Sequence, residues 1–185
     1  MKKLSAVLFV LLFAAAAFSQ AQVIPGKFEL GTSVTYFSLK FDSDTSSMSY
    51  LNIPFRFGWY FWQGLEIEPE VEVFIPMGST SEDTDTTYFF QGKLLYNFRM
   101  PGGVEPFIGG GAGVGNGIPF FGVVEGGKDY KTFTYMGLAG IKFRLGNSAA
   151  IRVEYRFNRF SWQVPLFEKE WGNLHRVLVG ISLFL

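Results

Sequence analysis

From Phe28 to Leu185 the chain keeps returning to one pattern: apolar and polar side chains alternate with a period of two residues. Alternate residues of an extended strand point to opposite faces, so this period is the signature of β-strands with two unlike faces. The segment Tyr50–Trp62 shows it most clearly. Leu51, Ile53, Phe55, Phe57, Trp59 and Phe61 share one parity, and Asn52, Pro54, Arg56, Gly58 and Tyr60 share the other. The next segment, Leu65–Ile75, sets Leu65, Ile67, Pro69, Val71, Val73 and Ile75 against Glu66, Glu68, Glu70 and Glu72. No helical period of 3.6 residues competes with this pattern, so the chain reads as all-β.

Eight such segments are expected: Lys27–Phe37, Tyr50–Trp62, Leu65–Ile75, Thr87–Arg99, Val104–Gly115, Lys131–Leu145, Ala149–Asn158 and Arg176–Leu185. Pro54 cannot donate to a ladder and is expected to mark a bulge or a strand edge. The connections alternate long and short. Residues 42–49, 77–86, 116–130 and 159–172 form long loops, and Gln63-Gly64, Met100–Gly103 and Gly146–Ser148 form tight turns. Strands of about ten residues with loops long on one side and tight on the other are the pattern of a transmembrane barrel.

The two faces decide between a soluble and a membrane barrel. One face carries Glu29, Glu66, Glu68, Glu70, Glu72, Glu105 and Glu154 together with Arg56, Lys93, Arg99, Lys142, Arg144, Arg152, Arg156 and Arg176. The other is apolar and carries almost no charge within the segments. In a soluble barrel the apolar face would be the interior, yet a small eight-stranded interior has no room for that many large groups. With the apolar face on lipid and the charges inside, the seven acids and eight bases should pair with one another as a lumen network. Gly109, Gly111 and Gly113, on the inward parity, are expected to leave room for long arginines opposite. No continuous wide pore is then expected.

Met1-Lys2-Lys3, the uncharged apolar run Leu4–Phe18 and the small residues Ser19-Gln20-Ala21 read as a secretory signal peptide cleaved after Ala21. The run falls short of the roughly 20 residues a spanning helix needs. The expected division is 1–21 signal peptide and 22–185 barrel. Loss of Lys2 and Lys3 leaves fourteen bases against sixteen acids, which provides no field for nucleic acid. The chain has no cysteine, hence neither a disulfide nor a cysteine to carry a lipid anchor.

The exported part resembles the small eight-stranded outer-membrane β-barrels related to the OmpA transmembrane domain. Pro106-Phe107-Ile108-Gly109-Gly110-Gly111-Ala112-Gly113 resembles the glycine-rich fifth strand of that group, and Val153-Glu154-Tyr155-Arg156-Phe157 its seventh. Gly180-Ile181-Ser182-Leu183-Phe184-Leu185 is similar to the C-terminal signal read by the barrel-assembly machinery, with Phe184 penultimate where that signal usually ends in an aromatic residue. The resemblance implies an antiparallel up-and-down transmembrane barrel in a bacterial outer membrane, in contact with outer-membrane lipid and assembled by that machinery.

Catalytic, cofactor and metal sites are not expected. The glycine run fits no G-x-G-x-x-G register and no Gly-Lys-Ser/Thr follows it. His175 is the single histidine, and Ser182 lies far along the strand on the inward parity, so no nucleophile sits beside a base. The four glutamates of 65–75 could bind a cation, but pairing with lumen bases is the expected state. Trp59, Trp62, Tyr96 and Tyr135 read as interfacial girdles. Phe120 and Phe121 on the third loop, with Trp162 and Trp171 on the fourth, form a candidate partner site for an extracellular ligand or host partner. The expected role is structural support of the envelope without catalysis. The alternatives are adhesion or ligand binding through loops three and four, or passage of small solutes or ions.

Overall fold

The structure, a computed structural model, describes residues 28–40, 47–77, 86–98, 100–116, 132–162 and 170–185. The signal-peptide segment, Arg99, Phe120 and Phe121 lie outside the described residues, as does the side chain of Trp162. Eight strands follow one another: β1 (Phe28–Lys40), β2 (Ser47–Trp62), β3 (Leu65–Met77), β4 (Thr87–Asn97), β5 (Val104–Gly115), β6 (Thr132–Leu145), β7 (Ala149–Trp162) and β8 (Glu170–Phe184). Each pairs antiparallel with its sequence neighbours, and β1 pairs with β8 from Glu29↔Phe184 to Val34↔Val179, which closes the barrel. Closure satisfies the backbone groups of every strand without an exposed edge, a condition for a sheet that faces hydrocarbon. Among the described residues no helix is long and apolar enough to cross a membrane.

The tight turns stand where the sequence puts them. Gly64 and Gly146 adopt φ of 84° and 75°, in the left-handed region open to glycine at little cost. Several boundaries differ from the sequence reading: β1 runs on to Lys40, β2 begins at Ser47 and β3 ends at Met77. β4 ends at Asn97, β7 runs on to Trp162, and β8 begins at Glu170. Residues 159–162 and 170–172, read above as loop, are therefore strand: Arg159 pairs with Asn173 and Ser161 with Trp171. The polar residues Arg159, Asn173 and His175 interrupt the apolar alternation at this end, which hid the strand from a pattern search.

Pro54 marks neither a bulge nor an edge. The β1–β2 register is the same on both sides of it, from Thr32↔Phe55 to Thr35↔Asn52. Side chains supply hydrogen bonds around the missing donor: Thr32 Oγ1 donates to the Pro54 carbonyl at 3.0 Å, and Arg56 donates to the Thr32 carbonyl at 3.2 Å. The register shift of β2 lies instead at Tyr60–Trp62, beside the turn.

Parity orients the wall. Thirty large apolar residues are exposed on the outer surface among the described residues, Tyr36 (63%) and Val177 (59%) among them. Such a sheath far exceeds the apolar patch a soluble monomer tolerates. Aromatics gather at both ends of it, with Trp59, Phe61, Trp62 and Tyr96 near the short turns and Tyr88, Phe133, Tyr135 and Trp171 near the loops. Among the described residues the inward parity is mostly buried on every strand, with several of its glycines half-buried.

Glycines let the wall close around its contents, though not in the way the sequence suggests. A Cβ on Gly109, Gly111 or Gly113 would strike the β4 backbone and Leu95, Lys93 or Gln91 respectively, at 2.4 to 2.8 Å. These glycines thus seat the neighbouring β4 side chains rather than arginines across the lumen. Gly31, not a β5 glycine, lies beneath the lumen arginine Arg56. Gly140 sits under the Phe107 ring, and a Cβ there would approach Phe107 Cζ and the Val153 carbonyl to 2.4 Å. Gly140→Val should therefore abolish the heat-dependent gel shift of the folded barrel. Gly92→Ala, on the outer surface with open space around it, should leave the shift intact.

Candidate functional site

Among the described residues, charged side chains cross the centre of the lumen. Glu66, Glu68, Glu70 and Glu72 project inward from β3 as a row, because successive inward positions of one strand stack along the barrel axis. Arg152, Glu154 and Arg156 project inward from β7, four strands away in a ring of eight and hence on the opposite wall. The two rows meet. Arg152 holds Glu68 with both terminal nitrogens, at 2.5 and 3.3 Å, and its Nε and Nη2 reach Glu154 at 3.0 and 2.5 Å. Arg156 holds Glu70 at 2.6 and 3.0 Å and Glu154 at 2.7 Å. Glu154 thus joins two guanidiniums on its own strand, and each guanidinium crosses the full diameter to a glutamate.

Further cations extend the chain of pairs in both directions. Lys93 Nζ bridges Glu68 and Glu70, the latter at 2.6 Å. Towards the loops, Arg176 Nη1 donates to Glu72 at 2.5 Å and to Asn52 at 2.8 Å, while Gln91 donates to Glu72 at 2.6 Å. Towards the turns, Lys142 Nζ lies 2.5 Å from Glu29 and 3.0 Å from Glu66. Tyr60 donates to Glu29 at 2.6 Å and receives a hydrogen bond from Lys142 at 2.7 Å. Arg144 pairs with Glu105 at 2.8 Å and stacks on Phe184, its guanidinium carbon 3.5 Å from the ring centre.

The structure therefore brings together every described residue of the expected lumen network except one. Arg56 is buried but contacts no carboxylate within 4 Å among the described residues. It donates to Ser33 Oγ at 2.7 Å and to the Thr32 carbonyl. The side-chain oxygens of Glu29, Glu66 and Glu68 converge within 4.8 Å of one another, a spacing that suits a cation. Lys142 and Arg152 already stand there as the counter-charges.

Sequence reasoning missed the lids. At the loop end Phe74, Phe89, Phe160 and Leu174 point inward and form a buried cluster. Phe89 packs edge-on against Phe74 and Phe160, with centroids 5.6 and 5.7 Å away. Arg176 lies over Phe74, 5.2 Å from its centre, so the apolar lid rests on the last cation of the network. Tyr60, Ala150 and Phe184 form a second buried cluster at the turn end. The signal was present, since Phe74, Phe89 and Phe160 share the parity of the charges on their strands. The low dielectric these lids create strengthens the ion pairs and makes any unpaired charge costly.

His175 faces outward, where Tyr155 Oη lies 2.6 Å from its Nδ1, whereas Ser182 is buried on the inward face. The two stand on opposite sides of the wall and cannot act together. Trp171 belongs to β8 and not to a loop. It faces outward and stacks on Tyr135 of β6, with centroids 6.4 Å apart. Trp162 and Trp171 thus stand on strands, where the sequence reading placed them on the fourth loop, and Phe120 and Phe121 lie outside the described residues.

Comparison with known proteins agrees with this inside-out arrangement. Residues 5–176 match the family described as the outer membrane protein beta-barrel domain. The chain belongs to that family. Its place is the bacterial outer membrane, where an apolar exterior and a charged interior are both required. No curated protein matches the chain. Among solved structures it is similar to Neisserial surface protein A (NspA), with 14% identity, a TM-score of 0.57, and coverage of 85% of this chain and 95% of that one. It is also similar to a de novo designed transmembrane β-barrel, with 12% identity, a TM-score of 0.54, and coverage of 90% and 100%. At such identities the likeness is one of fold.

Removing one member of a buried ion pair leaves the other charged and dry, which costs about 3–5 kcal/mol. Arg152→Met should lower the unfolding free energy in lipid vesicles by about that much. Adding Glu68→Met and Glu154→Gln should recover most of the loss, because the stranded carboxylates go with it. A loss below about 1 kcal/mol, typical of exposed pairs, would contradict the geometry.

Proposed function

We propose that this outer-membrane barrel is a closed, non-catalytic element that supports envelope integrity rather than a path for solutes. The observation that carries this reading is the pair of guanidinium bridges from β7 to β3, Arg152–Glu68 and Arg156–Glu70, which cross the lumen where a channel would run. A conducting pore would have to break them while the charges stayed in a space lidded by phenylalanines. Each break costs several kcal/mol, so an open state would be rare. In the same reading, residues 1–21 are removed on export and the β8 terminus is presented to the assembly machinery.

Two measurements test the proposal. The protein reconstituted in planar bilayers should show no stable conductance above background, and a steady large conductance would overturn it. Cells lacking the protein should become sensitive to detergents. A copy lacking residues 118–122 should restore resistance as well as the whole chain does, whereas failure of that copy despite a folded barrel would favour a binding role for the third loop.

A further inference from the structure

Among the described residues, one ionised side chain breaks the apolar exterior. Arg159 of β7 faces outward, flanked across the ladders by Tyr135 of β6 and Asn173 of β8. It does not stand on a smooth wall. A groove of about 470 Å³ opens on the outer surface here, lined by Tyr135, Met136, Gly137, Phe157, Arg159 and Trp171. That volume falls within the roughly 300–1,000 Å³ of small-molecule sites. The Arg159 guanidinium lies 4.8 Å from the centre of the Trp171 ring, which in turn stacks on Tyr135, so the cation is held against an aromatic wall. Gly137 forms the floor, and a Cβ placed there would meet nothing within 4 Å.

Position along the strand says what this groove meets. Arg159 lies ten residues beyond Ala149, the first residue of β7 at the short-turn end. At about 3.4 Å per residue and a tilt near 40°, that is a rise of about 25 Å, the height of the apolar band. The guanidinium therefore sits where hydrocarbon gives way to headgroups on the long-loop side, and the groove below it faces acyl chains. A second outer groove, between Phe55, Phe57, Val71 and Phe90, has no such cation, because the Arg56 and Glu70 beside it are buried on the inward face.

We propose that this groove binds a phosphorylated lipid of the outer leaflet, with the lipid phosphate on Arg159 and Asn173 and one acyl chain over Gly137 against Phe157. A guanidinium offers a planar fork of donors that suits a phosphate, and a headgroup anion supplies the counter-charge that the apolar exterior lacks. A second copy of the chain is the poorer occupant. A two-fold contact through this face would set one Arg159 against another in a medium of low dielectric. The proposal goes beyond a structural role, since it assigns a specific ligand to the lipid-facing wall.

Native mass spectrometry of the detergent-extracted protein supplies the test, with diphosphoryl lipid A and its dephosphorylated counterpart as probes. The unaltered protein should retain one diphosphoryl lipid A and hold the dephosphorylated form at least tenfold less well. Arg159→Gln and, separately, Gly137→Leu should each reduce retention of diphosphoryl lipid A about tenfold while the heat-dependent gel shift persists. Equal retention of the two lipids by the unaltered protein would overturn the proposal, and that comparison needs no variant to fold. Undiminished retention in both folded variants, or a dimer lost from Gly137→Leu with lipid still bound, would overturn it as well.

Discussion

Glu29, Glu66, Glu68, Glu70, Glu72, Glu105 and Glu154 are all buried in a barrel of eight strands, and each lies within 4 Å of a lysine or arginine nitrogen. Charges taken out of water cost several kcal/mol each, and only near-contact pairing with further hydrogen bonds recovers that. The lumen meets the condition by crossing the diameter. Arg152 and Arg156 each bind glutamates on both walls, so the network ties β3 to β7 directly as well as through the ring of strands between them. The apolar clusters at the two ends then seal the pairs from water, and the glycines of β5 let Gln91, Lys93 and Leu95 fold flat against the wall.

The interior explains the exterior. With most hydrogen-bonding capacity turned inward and the backbone closed into ladders, the outer surface presents mainly apolar side chains. That is the surface a hydrocarbon layer tolerates. Arg159 is the charged exception among the described residues, close to the polar Asn173 and His175, and its depth at the band's outer edge is what makes an arginine tolerable there at modest cost.

Much of this was legible in the residues, for a physical reason. In a barrel of this size one side of each strand meets lipid and the other meets its own kind, so a period of two reports both faces at once. The alternation of Leu65 through Ile75 was enough to place four glutamates inside. It could not say that Arg152 would find Glu68, because partners across a lumen depend on the stagger of strands remote in sequence. The roles of the β5 glycines were misjudged for the same reason: neighbours come from register, and register of non-adjacent contacts is not a local property. The extra residues of β7 and β8 escaped because Arg159, Asn173 and His175 look like loop when headgroup-level strand residues are judged by hydrophobicity alone.

The most direct test is of orientation, and the absence of cysteine from the chain makes it clean. Single cysteines placed in turn from Val177 to Phe184, except at Gly180 where a Cβ would strike the Thr32 carbonyl, can carry nitroxide labels, with the barrel in lipid vesicles. Collision rates with oxygen, which concentrates in hydrocarbon, are then compared with those of a water-soluble nickel chelate. The account predicts oxygen maxima at positions 177, 179, 181 and 183 and low collision with both reagents at 178, 182 and 184. Nickel maxima at the odd positions, or no period of two, would contradict it.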